Sequence, residues 1–497
     1  MRDLAKAPTS NEGRFWWYVV LVAFVLVTRV PLIGNFEGEA DTSRFVIGTH
    51  LWVIGDHSNQ LVFARQISSG YYWFASHLAK ATNSSPQNYA LMLNIVSLCA
   101  TLLMIPSLYE LSRYIAGGRC AFFCALLFLI SPAVWWLGIE PHPQSLSISL
   151  ILLSLWAFVR GVVISTSVRW TALSAFTLLL SLLVRGDAVL MFPAFLSFLL
   201  FLRPWNRETG VAILRTAGIL AITSIVYLFA RASILDTGLL GQQLHVFQLN
   251  VPSGIMIVKQ AAPIVMALGP ILFLFCVLGL VVLTSKHGRD ELSRWLILLA
   301  GWFVPGFLFY SLFPENLPRH VAIYTLALIW VGVVGAARLF DRKFAAIAVA
   351  VAAVNFISVP ANSNNTFLLS PNVPVSAQSL RTRQREIRTL AEEAVNRGGT
   401  GCFVGTYTIP YFIEYALQAK NSLQPVMGAR GHTSWIKSDR YSILCQDVNP
   451  QPKIDMPCSP AYSVEFAPDG SKHRFFGKEV YSSPIWAKLT VAASGSR

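Results

Sequence analysis

The feature that most constrains this chain is a series of apolar runs with few charges, each about as long as a lipid bilayer is thick. A helix rises 1.5 Å per residue, so roughly 20 apolar residues cross some 30 Å of hydrocarbon. Eleven such stretches fall at about 15–34, 88–107, 118–137, 144–163, 169–184, 187–203, 212–230, 260–284, 295–313, 320–337 and 344–360. The composition agrees: 54% of the 497 residues are hydrophobic and 13% charged, about half the charge of a soluble domain. The mean hydropathy is +0.53. The reading is a polytopic α-helical membrane protein with about eleven transmembrane helices. The first run lacks a small-x-small exit and reads as a span, not as a cleaved leader.

The formal charge of +14 therefore reflects span-flanking Lys and Arg, and no zinc knuckle, basic–aromatic ladder or phosphate loop points to nucleic acid. Counted by side, the flanking cations are twice as many when the N-terminus is cytoplasmic, which places residues 361–497 outside. The expected organisation is a cytoplasmic terminus 1–14, a membrane domain 15–360 with a large first outer loop 35–87, a Ser/Asn/Pro linker 361–375 and a small extracytoplasmic α/β domain 376–497. In that domain Ser376 to Arg397 and Tyr411 to Ala419 read as helices, and Cys402 to Gly405 and Tyr441 to Cys445 as strands. In the first loop, Gln60 to Ile67 reads as an interfacial helix or a packed loop. The Tyr71–Phe74 cluster and Trp135-Trp136 read first as interface-belt aromatics. Cys402, Cys445 and Cys458 allow one disulfide that spacing does not assign.

Polar groups at span ends mark a site or a structural pair, because charge is costly near hydrocarbon. On the outer side these are Glu37, Glu39, Asp41 and Arg44, then Glu140-Pro141-His142-Pro143, then Arg185 and Asp187, and finally Glu315, Arg319 and His320. The inner loops carry mainly Lys and Arg. The chemistry is thus concentrated at the outer face.

Four motifs in this set carry a resemblance. Glu39-Ala40-Asp41-Thr42-Ser43-Arg44-Phe45 resembles the Asp-Glu-x-Arg-Tyr segment of GT-C glycosyltransferases, the polyprenyl-phosphate-sugar-dependent enzymes that include protein O-mannosyltransferases and lipid A aminoarabinose transferases. Ser131-Pro132-Ala133-Val134-Trp135-Trp136 leading to Glu140-Pro141-His142-Pro143 is similar to their second-loop pattern. Arg185-Gly186-Asp187 followed by Pro193 resembles their Arg-x-Asp segment, and Pro318-Arg319-His320 their late span start. Thr42 stands where that family commonly has a second acid, so only Asp41 and Arg44 carry over from the first motif.

The resemblance implies an enzyme that moves a sugar from a polyprenyl-phosphate donor to a glycan, lipid or protein acceptor outside a plasma membrane, bacterial in this reading. Asp41 is its implied general base, or else a cap of the loop helix. Arg44, Glu140 and His142 are expected to support the base or bind sugar and acceptor. Arg185, Arg319 and His320 are expected at the donor phosphate, or else serve as interface anchors and structural hydrogen-bonding groups. No cofactor is required. A divalent ion on Asp41, Glu140 and His142 is compatible with the pattern, without a dedicated ligand spacing. The rival readings are a lipid or solute transporter and a non-catalytic assembly partner.

Overall fold

The computed structural model describes residues 11–34, 40–55, 68–85, 88–235, 261–286, 289–311 and 318–357, together with seven strands between 402 and 491. Each of the eleven predicted stretches carries helix. By length and composition five qualify as spans among the described residues: Arg14–Leu32, Tyr89–Ala116, Pro143–Ile164, Arg207–Ser233 and Glu291–Ser311. The bent pair Ala261–Leu268 and Pro270–Ser285 makes a sixth if it is one span. The chain is an integral membrane protein, and long helices such as Arg207–Leu235 expose apolar side chains, Leu214 at 73% and Ile222 at 64%.

In chain order the helices are α1 (Asn11–Arg29), α2 (Ala40–Val53), α3 (Ser69–Ala81), α4 (Tyr89–Ala116), α5 (Gly118–Ile130), α6 (Pro132–Leu137) and α7 (Pro143–Phe158), which closes in a π-helical turn, Val159–Ile164. There follow α8 (Val168–Val184), a 3-10 turn Gly186–Met191, α9 (Phe192–Leu202), α10 (Arg207–Leu235), α11 (Ala261–Leu268), α12 (Pro270–Lys286) and α13 (Arg289–Trp302). The last are α14 (Val304–Ser311), α15 (Pro318–Val321), α16 (Thr325–Phe340) and α17 (Phe344–Ile357).

Several predicted spans are broken, and prolines explain where. Pro132, Pro143, Pro270 and Pro318 each open a helix at its first position, where the missing N–H costs nothing and the fixed φ suits the turn. The stretch 118–137 thus divides at Ser131 into α5 and α6. The stretch 260–284 turns through 107° between α11 and α12. Gly269 makes that corner with φ +84, and a Cβ there would stand 2.3 Å from Asn355 Oδ1. Asn355, on α17, donates to the Leu268 carbonyl at 2.9 Å and accepts from the Leu272 amide at 3.4 Å, so one buried amide serves both helix ends.

The core is aromatic where four helices meet. Trp302, Trp330 and Phe198 pack with centroid separations of 4.9 to 5.6 Å. Their polar edges are satisfied, Trp302 Nε1 on the Ile323 carbonyl at 2.9 Å and Trp330 Nε1 on Ser112 Oγ at 2.8 Å. Between α12 and α16, Gly279 and Gly335 let the backbones touch: a Cβ on Gly335 would lie 2.3 Å from the Gly279 carbonyl oxygen.

The belt reading of two aromatic clusters is corrected. Tyr71 and Tyr72 are fully buried, packed against Phe45 of α2 with ring centroids at 5.7 and 5.8 Å. Gly48 and Gly70 admit this packing, the first against the Tyr72 ring and the second against the Leu183 carbonyl of α8. Trp135 and Trp136 are buried as well, while Trp73 stays exposed at 46%. The predicted interfacial stretch Gln60 to Ile67 lies outside the described residues.

The polar tail contains a mixed sheet of β1 (Cys402–Gly405), β2 (Gln424–Met427), β3 (Thr433–Lys437), β4 (Ser442–Gln446), β5 (Ala461–Phe466), β6 (Lys478–Ser482) and β7 (Ala487–Val491), ordered β2-β3-β4-β1-β5-β7-β6. β1 is parallel to both neighbours, and the other pairs are antiparallel. Two strands sit where the sequence reads them. The helices expected at Ser376 to Arg397 and Tyr411 to Ala419, and the linker 361–375, lie outside the described residues. Cys402 is in register with Ser442, and Cys445 with Gly405. Three residues of strand, about 10 Å, therefore separate Cys402 from Cys445, too far for a disulfide.

Candidate functional site

The loop after α6 is tied down from three directions. Within it the Glu140 amide donates to the Trp136 carbonyl at 3.0 Å and the His142 amide to the Glu140 carbonyl at 2.8 Å. From α4, Asn94 Nδ2 donates to the Ile139 carbonyl and Ser97 Oγ to the Glu140 carbonyl. From the end of α1, the fully buried Arg29 donates to the Leu129 carbonyl at 2.9 Å and the Trp135 carbonyl at 3.3 Å. These carbonyls end α5 and α6, where the helix dipole is negative, so they complement the guanidinium charge. Gly138 is required here, because a Cβ would stand 2.5 Å from Arg29 Nε.

His142 is the N-cap of α7, its Nδ1 accepting from the Gln144 amide at 3.3 Å. The neutral ring then carries its proton on Nε2. This ring and that of Phe45 meet edge to face with centroids 4.8 Å apart, which sets α2 beside this loop. Asp41 lies one helical turn before Phe45, inside the first turn of α2 and not ahead of it. An acid at that place complements the helix dipole. The side chains of Asp41 and Arg44, with Glu37, Glu39 and Glu315, lie outside the described residues.

A small cleft opens beside the loop, lined by Pro132, Ala133, Trp136, Leu137, Glu140, Met266, Pro318 and Arg319. Its walls are apolar, with one carboxylate and one guanidinium, both buried at 5% and 6% exposure. Two predicted site residues far apart in sequence, Glu140 and Arg319, are thus brought to one cavity. Met266 reaches it because α11 folds back at Gly269.

A second polar group stands behind α15. Arg185 grips Asp187 with both arms of its fork, Nε to Oδ1 at 2.9 Å and the other nitrogen to Oδ2. Asp187 Oδ2 also accepts from the Tyr310 hydroxyl, and the Tyr310 ring stacks on His320 at 5.2 Å and 17°. The predicted residues Arg185 and His320 therefore belong to one buried network, next to Arg319 in the chain but built around Asp187. Among the described residues no group of three or more His, Cys, Asp and Glu is disposed to hold a metal ion. Of the trio that the sequence suggested for one, only Glu140 and His142 have described side chains.

Sequence reasoning missed Arg29 and Tyr310. Arg29 stands among other span-end cations, and Tyr310 in an aromatic-rich run, with no local mark on either. Their contacts cross 106 and 123 residues of chain.

Residues 71–229 match the family model described as dolichyl-phosphate-mannose-protein mannosyltransferase. The match agrees with the motif resemblance over about a third of the chain. It spans Glu140, His142, Arg185 and Asp187, and leaves Asp41, Arg44, Arg319 and His320 outside. Among solved structures, the chain is similar to ArnT from Cupriavidus metallidurans in the apo state, at 14% identity over 81% of this chain and 74% of that one, with a TM-score of 0.49. It is also similar to the oligosaccharyltransferase of Archaeoglobus fulgidus in the apo form, at 13% identity over 82% and 64% of the two chains, TM-score 0.49. A third is the arabinofuranosyltransferase AftD from Mycobacteria, at 12% identity over 78% and 30%, TM-score 0.44. No curated protein sequence matches.

Proposed function

We propose that this protein transfers a sugar from a polyprenyl-phosphate carrier to an acceptor hydroxyl on the extracytoplasmic side of a bacterial plasma membrane, with Asp41 as general base. The observation that carries this reading is the apolar cleft in which Glu140 and Arg319 meet. A prenyl chain suits its apolar walls, a phosphate suits the guanidinium, and a sugar hydroxyl suits the carboxylate.

In the proposed step Asp41 takes the acceptor proton as the acceptor oxygen bonds to the anomeric carbon, and the bond from that carbon to the phosphate oxygen breaks with inversion. The phosphate leaves with the electron pair, and Arg319 neutralises the charge that develops. Arg185 and His320 act at the same phosphate. Arg44 and His142 orient the base and the acceptor side. The tail domain shapes access for the acceptor.

The test is transfer by the detergent-purified protein from a panel of radiolabelled polyprenyl-phosphate sugars, with Asp41→Asn and Arg319→Gln in parallel. Turnover by the parent, lowered about 10²- to 10⁴-fold in Asp41→Asn, is the expected result. Activity retained in that variant moves the base to Glu37, Glu39 or Glu140. Absence of turnover and of donor binding across the panel would sink the reading.

A further inference from the structure

At its far end from the cleft, the molecule carries a second candidate binding surface. α7 starts beside Glu140 and, with its π turn, runs 22 residues to Ile164, about 33 Å along its axis. The end of this span therefore reaches the opposite membrane face. There Arg160, in the π turn, lies over two indoles, 5.2 Å from the Trp156 ring and 4.8 Å from the Trp170 ring. Arg203 donates twice to the Val163 carbonyl in the same turn, through Nε at 2.8 Å. Among the described residues both cations are held by neutral groups, so their positions are fixed without a carboxylate partner.

Two more arginines, Arg169 and Arg207, are exposed beside them at the starts of α8 and α10. Between residues 159–171 and 202–209 the one acidic residue is Glu208. The same end exposes apolar side chains, Ile164 at 57%, Val168 at 81% and Trp205 at 81%. Cations interleaved with bare apolar surface suit the zone where headgroups meet hydrocarbon. A free anion would use the arginines and leave the apolar groups in water.

We propose that this surface binds the phosphate headgroup of an anionic phospholipid, whose acyl chains lie on Ile164, Val168 and Trp205. The site does not depend on the catalytic reading.

The test is native mass spectrometry of the full chain in detergent, titrated with phosphatidylglycerol and, separately, phosphatidylcholine of the same acyl chains. Phosphatidylglycerol should be retained and phosphatidylcholine lost. Each arginine near an anionic surface changes affinity about fivefold, so the exposed double variant Arg169→Gln/Arg207→Gln should bind about 25-fold more weakly, without a change in melting temperature. Arg160→Gln should weaken it by a similar factor per charge. Equal retention of the two lipids would overturn the proposal, as would undiminished binding by both variants. Displacement by millimolar inorganic phosphate would overturn the lipid assignment.

Discussion

The corner between α11 and α12 offers a perturbation whose size follows from the geometry. Asn355→Ala removes the donor to the Leu268 carbonyl, at 2.9 Å, and the acceptor for the Leu272 amide, at 3.4 Å. Both backbone groups are then left without a partner inside a membrane protein, where water does not replace it. One to three kcal/mol per orphaned group, with the longer contact at the low end, sums to about 2–4 kcal/mol. Gly269→Ala costs about 1–2 kcal/mol for placing a Cβ at φ +84. It also sets that Cβ 2.3 Å from Asn355 Oδ1, which drives the amide out and forfeits the same two bonds. Each single variant should therefore lose several kcal/mol. In the double variant the bonds are lost once and the clash disappears, so the total should fall short of the sum by about 2–4 kcal/mol. Denaturant unfolding in mixed micelles, followed by tryptophan fluorescence, measures all four corners of the cycle. A double variant that equals the sum of the singles within about 0.5 kcal/mol would refute the argument that Asn355 pins this corner.

Asp187→Asn should cost about 3–5 kcal/mol, because it leaves the Arg185 guanidinium buried without its counter-charge. Tyr310→Phe removes one hydrogen bond to that carboxylate and should cost about 1.5–3 kcal/mol; the reverse order in thermal melts would mean that the network is not centred on Asp187. Burial in the first-loop helices holds His50 down to about 4 from its ordinary value. The unfolded chain then takes a proton near pH 6.5 that the folded chain refuses, so stability is flat above that pH. It falls as the pH drops from 6.5 to about 4, by at most about 3 kcal/mol. A His50→Gln variant should lose that part of the acid dependence, and an unchanged pH–stability curve would contradict it.

What the sequence disclosed depends on whether the determinant was local. Pro132, Pro143, Pro270 and Pro318 announce helix starts by themselves, and Glu140 and His142 between two prolines announce a stiff polar loop. The strands Cys402–Gly405 and Ser442–Gln446 show in apolar runs bounded by Gly and polar residues. The aromatic clusters were ambiguous for a physical reason: Tyr71, Tyr72 and Trp136 have the composition of an interface belt or of a core with equal ease. Gly48, which faces the Tyr72 ring, and Gly70, which lets α3 approach the Leu183 carbonyl of α8, decide it for the tyrosines, and nothing in the local pattern couples those positions. Arg29 and Tyr310 were invisible on the same ground, since their partners lie more than a hundred residues away.

The two polar groups at the candidate site meet through one element too short to stand alone. α15 has four residues, fewer than a helix needs to be stable by itself, so its direction is set by what touches it. On one side His320 stacks on Tyr310, which bonds Asp187 and through it Arg185. On the other side Arg319 lines the cleft with Glu140. Just beyond, the Ile323 carbonyl takes the Trp302 indole proton at 2.9 Å, which anchors the exit to the aromatic core. A buried ion pair is weak evidence for stability, since replacing it by apolar residues is often neutral or better. Here the Arg185–Asp187 pair has a different use: it is the fixed end of a chain of contacts that orients the residue next to His320. On the proposed reading the charge that meets the donor phosphate is therefore aimed in part by Asp187 and Tyr310, which need not touch the donor.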